Sequence, residues 1–178
     1  MKHAIIVALI VLMATSVLAG QKNSPYAGFE NREIKALSDD TIEGHLKGKG
    51  MGLSLAAELN HYPGPKHVLD FKDKLGLTQE QAEEVGEIRE SMFNNARNLG
   101  AQIVQKERQL DEMFAGQAAD ALALESLVYS IAVLRGQLRY AHLKAHLRTR
   151  ELLSDKQVKE YDRLRGYWQG QLEHSSEN

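Results

Sequence analysis

From Val85 onward the apolar residues keep a helical rhythm. Val85, Ile88, Met92, Ala96, Leu99, Ile103, Leu110 and Met113 recur at gaps of three, four or seven. That repeat places side chains on one face of an α-helix. It predicts a single helix over residues 79–114, roughly 54 Å long at ~1.5 Å per residue. Ala115-Gly116-Gln117 reads as a tight reversal, with glycine ending the helix. A second stripe follows in Leu124, Leu127, Ile131, Leu134, Leu138, Ala141 and Ala145. A connection of roughly three to five residues forces two such helices to run antiparallel. A last helix is predicted over about 155–170, carrying Val158, Tyr161, Leu164 and Trp168.

Upstream the pattern is broken. Pro25, Pro63 and Pro65 all lie in the first third, where Gly44, Gly48, Gly50, Gly52 and Gly64 also crowd. Short helices joined by turns are predicted there, at about 39–47 behind a Ser38 cap, at about 52–60, and at about 66–74 after the break NHYPGP. The fold class is therefore all-α, a long antiparallel helical hairpin with short flanking helices. Residues 20–65 form an N-terminal short-helix segment, residues 66–172 the hairpin domain and residues 173–178 a disordered tail. One hairpin cannot bury both stripes well, so a second copy or the short flanking helices must cover the rest; a homodimer, a dimeric cradle, is expected. Gly86, Gly100 and Gly136 each weaken a helix by up to ~1 kcal/mol relative to Ala, and close approach of helices is the one use the sequence suggests for them.

Two phrases punctuate the helices, LGLTQEQ at 75–81 and LLSDKQ at 152–157. In each, a hydroxyl residue is followed three positions on by Gln, which is the capping-box arrangement. Thr78 with Gln81, and Ser154 with Gln157, are thus predicted helix caps.

The first nineteen residues, MKHAIIVALIVLMATSVLA, differ from all that follows. A basic start at Lys2, an apolar run to about Leu18 and small residues before Ala19 predict a secretory signal peptide cleaved after Ala19. The chain has no cysteine, which excludes disulfides, thiolate metal sites, cysteine nucleophiles and a lipoprotein anchor. Removing the leader takes away only Lys2 among the charges, leaving 21 Lys+Arg (22 − 1) against 24 Asp+Glu. That near balance argues against nucleic acid as a partner.

The leader, the hairpin and the paired Leu-Thr-x-x-Gln phrases together resemble the Spy/CpxP family of periplasmic proteins. That family shades into metal-resistance and metal-sensor proteins of the CnrX and ZraP kind. LTQEQ at 77–81 matches the motif, and LSDKQ at 153–157 departs by Ser for Thr. HLKAHLRTRELLSDKQVKEYDRLRGY looks especially like the metal-resistance branch. The resemblance covers about residues 66–168. It implies an all-α cradle-shaped dimer in the periplasm, acting as an ATP-independent chaperone, a modulator of envelope-stress signalling or a metal-binding sensor.

His142 and His146 sit four apart on the second long helix and so share a face, a geometry that can give two imidazoles to one ion. Leu143 stands where a metalloprotease would need its general-base Glu. Further ligands could come from His61, His67, Glu58 or a partner subunit. The CnrX-like resemblance implies a His pair with a carboxylate and a Met thioether, for which Met51 and Met113 are available, and Zn, Ni, Co or Cu as the ion. A competing reading takes Arg135, Arg139, His142, His146 and Arg150 as one solvated basic face, and His45, His61 and His67 as ordinary histidines. The same face would serve client binding, with Phe93, Phe114, Leu143 and Leu147 as apolar contacts. No phosphate loop, nucleophile elbow or flanked carboxylate pair is present, so no enzyme is expected. The first reading is a periplasmic envelope-stress chaperone or modulator that binds unfolded or envelope proteins. The alternative is a metal-binding or metal-sensing protein using His142 and His146. A third is a subunit dedicated to one partner such as a membrane sensor.

Overall fold

The computed structural model describes residues 24–167. The leader expected over 1–19, Trp168 and the tail expected over 173–178 lie outside them. Among the described residues the chain is all-helical. A 3-10 turn at Phe29–Asn31 precedes α1 (Asp39–Leu46), α2 (Leu55–Glu58), α3 (Pro65–Asp70), α4 (Lys72–Leu75), α5 (Gln79–Ala115), α6 (Ala121–Leu152) and α7 (Asp155–Arg165). The antiparallel pair α5 and α6 is the hairpin that the two stripes predict.

The short helices depart from prediction for backbone reasons. The helix expected over 52–60 is reduced to the single turn of α2, because Met51 (φ 41°) and Gly52 (φ 79°) adopt left-handed conformations that a right-handed helix cannot include. The helix expected over 66–74 is split at Phe71 (φ −108°, ψ 14°) into α3 and α4. The final helix stops at Arg165, short of 170, where Gly166 turns left-handed at φ 73°.

Both capping boxes form in full. Thr78 and Ser154 each accept from the backbone N–H of the Gln three residues on, and that Gln reaches back to the cap. The structure adds what local reading does not contain: the two glutamines bind each other. Gln157 Nε2 donates to Gln81 Oε1 at 3.0 Å, and Gln81 Nε2 donates to Gln157 Oε1 at 3.1 Å and to the Leu152 carbonyl at 2.7 Å. The repeated phrase therefore starts two helices and also fastens them together, at the end of α6. Beneath this clasp lies one core cluster, of Val68, Leu75, Val85, Leu153, Val158 and Tyr161.

Further along the hairpin, Ala96, Leu99, Ile103, Leu138 and Ala141 pack between α5 and α6. Ile34 and Leu37 pack on Val104, and Lys35 pairs with Asp111 at 2.9 Å. The N-terminal segment thus lies along α5 and shares its core. Gly100 explains how α1 comes so close. A Cβ there would stand 2.1 Å from the His45 carbonyl oxygen and 2.7 Å from its carbon, a backbone collision that a rotamer change cannot relieve. Gly86, by contrast, faces open space. Gly100→Ala is expected to cost about 2 kcal/mol through overpacking, a fall of ~4–8 °C in Tm, while Gly86→Ala raises Tm slightly. Equal thermal melts for the two variants would refute this account of the crossing.

A candidate metal centre between the hairpin and the N-terminal segment

Ala141 and Ala145 turn α6 inward against α5, and His142 and His146 follow each by one position. That places both rings at the seam's edge, where residues 50–64 cover them. His142 is 3% exposed and His146 7%. The solvated basic face anticipated from the Arg135, Arg139, His142, His146, Arg150 spacing does not exist as one surface. Its histidines are buried beneath the Gly- and Pro-rich segment, whose path no helical periodicity encodes.

His146 is oriented by the backbone. Its Nδ1 lies 2.8 Å from the Tyr62 carbonyl, which can only accept, so Nδ1–H donates and Nε2 is the nitrogen left for a ligand. Gly64 makes room for it: a Cβ at that position would sit 2.9 Å from Cε1 and 3.0 Å from Nε2. His142 lies beside Gly50, where a Cβ would stand 3.9 Å from its ring, an ordinary contact, and its Nε2 is buried with no hydrogen-bond partner. Burial first, and then the neighbouring His146, hold the His142 pKa below its ordinary value of 6.5. The ring is thus neutral at pH 7, as a metal ligand must be.

Glu58 ends α2 within the same cover and is also buried. Its Oε1 accepts from the Tyr161 hydroxyl at 2.7 Å, the Tyr167 hydroxyl at 3.0 Å and Arg165 Nε at 3.1 Å. Its Oε2 accepts from the Gly64 N–H at 3.2 Å and lies 3.6 Å from His146 Nδ1. Burial and the bond to this carboxylate push the Tyr161 hydroxyl far above the usual tyrosine range. Glu58 therefore joins His146 to the end of α7.

These groups border a cavity of about 250 Å³, whose lining includes Met51, Glu58, His67, Met92, His142 and His146. Imidazole, thioether and carboxylate donors around one space suit late first-row divalent ions. The unpartnered His142 Nε2 and the aligned His146 fit such an ion. Among the described residues no three His, Asp or Glu side chains form a ready ligand cluster, so binding would draw the donors together.

The other predicted residues divide. His67 borders the cavity, with its Nδ1 3.2 Å from Asp70. His61 does not border it; its exposed ring meets Asp162 at 2.7 Å. Met113 sits in the last turns of α5, about 30 Å along the helix from Met92. Phe93 borders the cavity beneath the Arg89 guanidinium, 4.9 Å away. Arg135 is paired at 2.6 Å with the buried Glu107, and Arg139 is exposed. Leu143 and Leu147 line a separate groove with Tyr62 and Tyr140, and Phe114 is exposed at the end of α5. The client-binding set is thus spread over different surfaces. Sequence reasoning did not single out Met92, which it placed in the apolar stripe, nor Tyr161, Arg165 and Tyr167, whose hold on Glu58 spans more than a hundred residues.

Burial also lowers the pKa of His45 from 6.5, with Arg135 adding to the effect. Both His45 and His142 thus bind protons less readily folded than unfolded. Their contribution to stability is complete above about pH 6.5 and is lost as pH falls through their lowered folded values. The urea midpoint of metal-free protein should accordingly be lower at pH 5.5 than at pH 7.5; equal midpoints would contradict it.

The family model described as heavy-metal resistance matches residues 51–159. That span contains Met51, Glu58, His67, Met92, His142 and His146, and begins fifteen residues (66 − 51) before the stretch in which the resemblance was read. No curated protein and no solved structure matches the chain.

Proposed function

We propose that this chain, which belongs to the heavy-metal resistance family, binds a transition-metal ion (Zn, Ni, Co or Cu) in the cavity between α6 and residues 50–67, after export to the periplasm. The observation that carries this reading is the pair of buried imidazoles on one cavity, His142 with an unpartnered Nε2 and His146 aimed by the Tyr62 carbonyl. Burying a polar ring atom without a partner costs free energy, and a bound ion would offset that cost. His142, His146 and Glu58 would hold the ion, with Met51 or Met92 as a thioether donor. The role is binding, as a resistance or sensing protein, and not catalysis.

The metal reading takes precedence over the chaperone reading for a physical reason. The buried, unpartnered His142 Nε2 beside His146 supports metal binding directly, whereas the groups a client surface would use are scattered: Arg139, Leu143 and Leu147 lie on α6, Phe93 borders the cavity and Phe114 lies at the end of α5. Calorimetric titration of the chelator-stripped protein with Zn, Ni, Co and Cu tests the proposal. At least one ion should bind with a micromolar or tighter Kd, more weakly at pH 5.5, where protons compete for imidazole. If none bound more tightly than about 1 mM, and the protein suppressed aggregation of a denatured client equally with chelator present, the chaperone reading would replace it.

A further inference from the structure

Residues 51–62 cover His142 and His146 with little apolar packing of their own. Met51, Leu55, Leu59 and Tyr62 all stay at least 39% exposed, and Leu53 packs against the hairpin core. Three polar ties hold this strap instead. Glu58 accepts from Tyr161, Tyr167 and Arg165. The Tyr62 carbonyl accepts from His146, and His61 Nδ1 donates to Asp162 Oδ2 at 2.7 Å. The first and third of these end at α7. Water can replace polar ties, so such a segment opens more readily than one glued by buried apolar side chains.

The tie at His61 is the outermost and the most strained. Its side chain is 61% exposed, against 8% for those of Glu58 and His146, so water reaches it first. Its backbone stands at φ 67°, the left-handed region that a residue other than glycine adopts only when its surroundings hold it there. Asp162 is buried beneath, and its Oδ1 has no hydrogen-bond partner among the described residues, although a carboxylate oxygen has lone pairs to fill. The closed strap thus carries two penalties. Lifting it would let His61 relax and open Asp162 to water, which offsets part of what the broken ties cost.

We infer that residues 51–62 open and close over the cavity, with His61 and Asp162 as the latch and the left-handed pair Met51 and Gly52 as the hinge. Entry requires such a movement, because His142 Nε2 is sealed from solvent and no ion reaches it while the strap is down. Its use for metal rests on the metal-binding reading above; the opening itself does not. His61 stands outside the cavity, so the latch sets how fast an ion enters and leaves and not how tightly it is held. Made equally with and without the ion, it slows both steps by one factor and leaves their ratio unchanged.

Amide hydrogen exchange of the metal-free wild type, His61→Ala and His61→Asn reads the opening first. The N–H groups of Glu58, Leu59 and Tyr62 donate to the Ser54, Leu55 and Ala57 carbonyls, bonds that a single helical turn cannot keep once it leaves its packing. Their exchange should be about tenfold faster in His61→Ala, which lacks one hydrogen bond to a charged group, with the Ile103 and Leu138 amides unchanged. Asparagine puts an N–H where Nδ1 stands and tolerates left-handed backbone, so His61→Asn should exchange like the wild type. Equal exchange in wild type and His61→Ala, or equal acceleration in both variants, would overturn the latch. Stopped-flow mixing with Zn, Ni, Co or Cu, and release to a coloured chelator, then tests its use. Association and dissociation should both quicken about tenfold in His61→Ala, while Kd stays within about threefold. Faster dissociation alone, with a weaker Kd, would make His61 a support of the closed site and overturn the gate. If none of the four ions bound, the metal reading and the gate would both fall, and exchange alone would still decide the strap.

Discussion

In a His142→Ala/His146→Ala variant, metal affinity is expected to fall at least ~100-fold while helical content is retained. The size follows from the donor inventory: with both imidazoles gone, His67 is the one ring nitrogen donor left on the cavity, and it is already engaged with Asp70. Thioethers and one carboxylate hold late transition ions far less well than a site with two nitrogens, and second-sphere changes alone commonly cost 10–100-fold. Stability should change less. The Tyr62 carbonyl loses a hydrogen bond worth ~1 kcal/mol, but the unpartnered His142 Nε2 goes as well, and removing an unsatisfied buried group returns part of that loss. Calorimetry and thermal melts on the same samples separate the two effects. Unchanged affinity with a lowered Tm would make the histidines structural and sink the metal proposal.

Replacing Glu58 should produce the largest loss of stability. Four donors converge on its carboxylate: the Tyr161 and Tyr167 hydroxyls, Arg165 and the Gly64 N–H. Glu58→Ala strands them, and removing one partner of a buried ion pair costs ~3–5 kcal/mol. Arg165 retains about a quarter of its exposure (27%), so water can still reach the orphaned charge, and the value should lie nearer the lower figure. A Tm fall of roughly 6–12 °C follows. Glu58→Gln keeps the volume and an acceptor oxygen, and so should cost less stability. It removes the negative charge, however, and affinity for a divalent cation should still drop. A Gln variant with wild-type affinity would show that Glu58 only positions His146. Because this carboxylate also holds Arg165 and Tyr167, any ion that engaged it would be felt at the end of α7, a connection well suited to a sensor.

What the sequence determined by itself was the hairpin and its punctuation. Apolar gaps of three, four and seven between Val85 and Met113, and of three and four between Leu124 and Ala145, are enough to specify long amphipathic helices, since the rhythm is a property of one continuous segment. The same holds for Thr78 and Ser154, whose capping partners lie three residues away. It also put two imidazoles on one face of α6, because a spacing of four does so on any helix. Tertiary structure alone decided which face that was. His142 and His146 were legible as a pair but not as buried, because the segment that covers them follows left-handed turns at Met51, Gly52 and His61 and carries no periodic signal. Glu58 stood in the sequence as one acidic residue among many. It became the centre of the site only when a one-turn helix brought it to side chains 103 to 109 positions away, contacts set by packing and recorded in no local pattern.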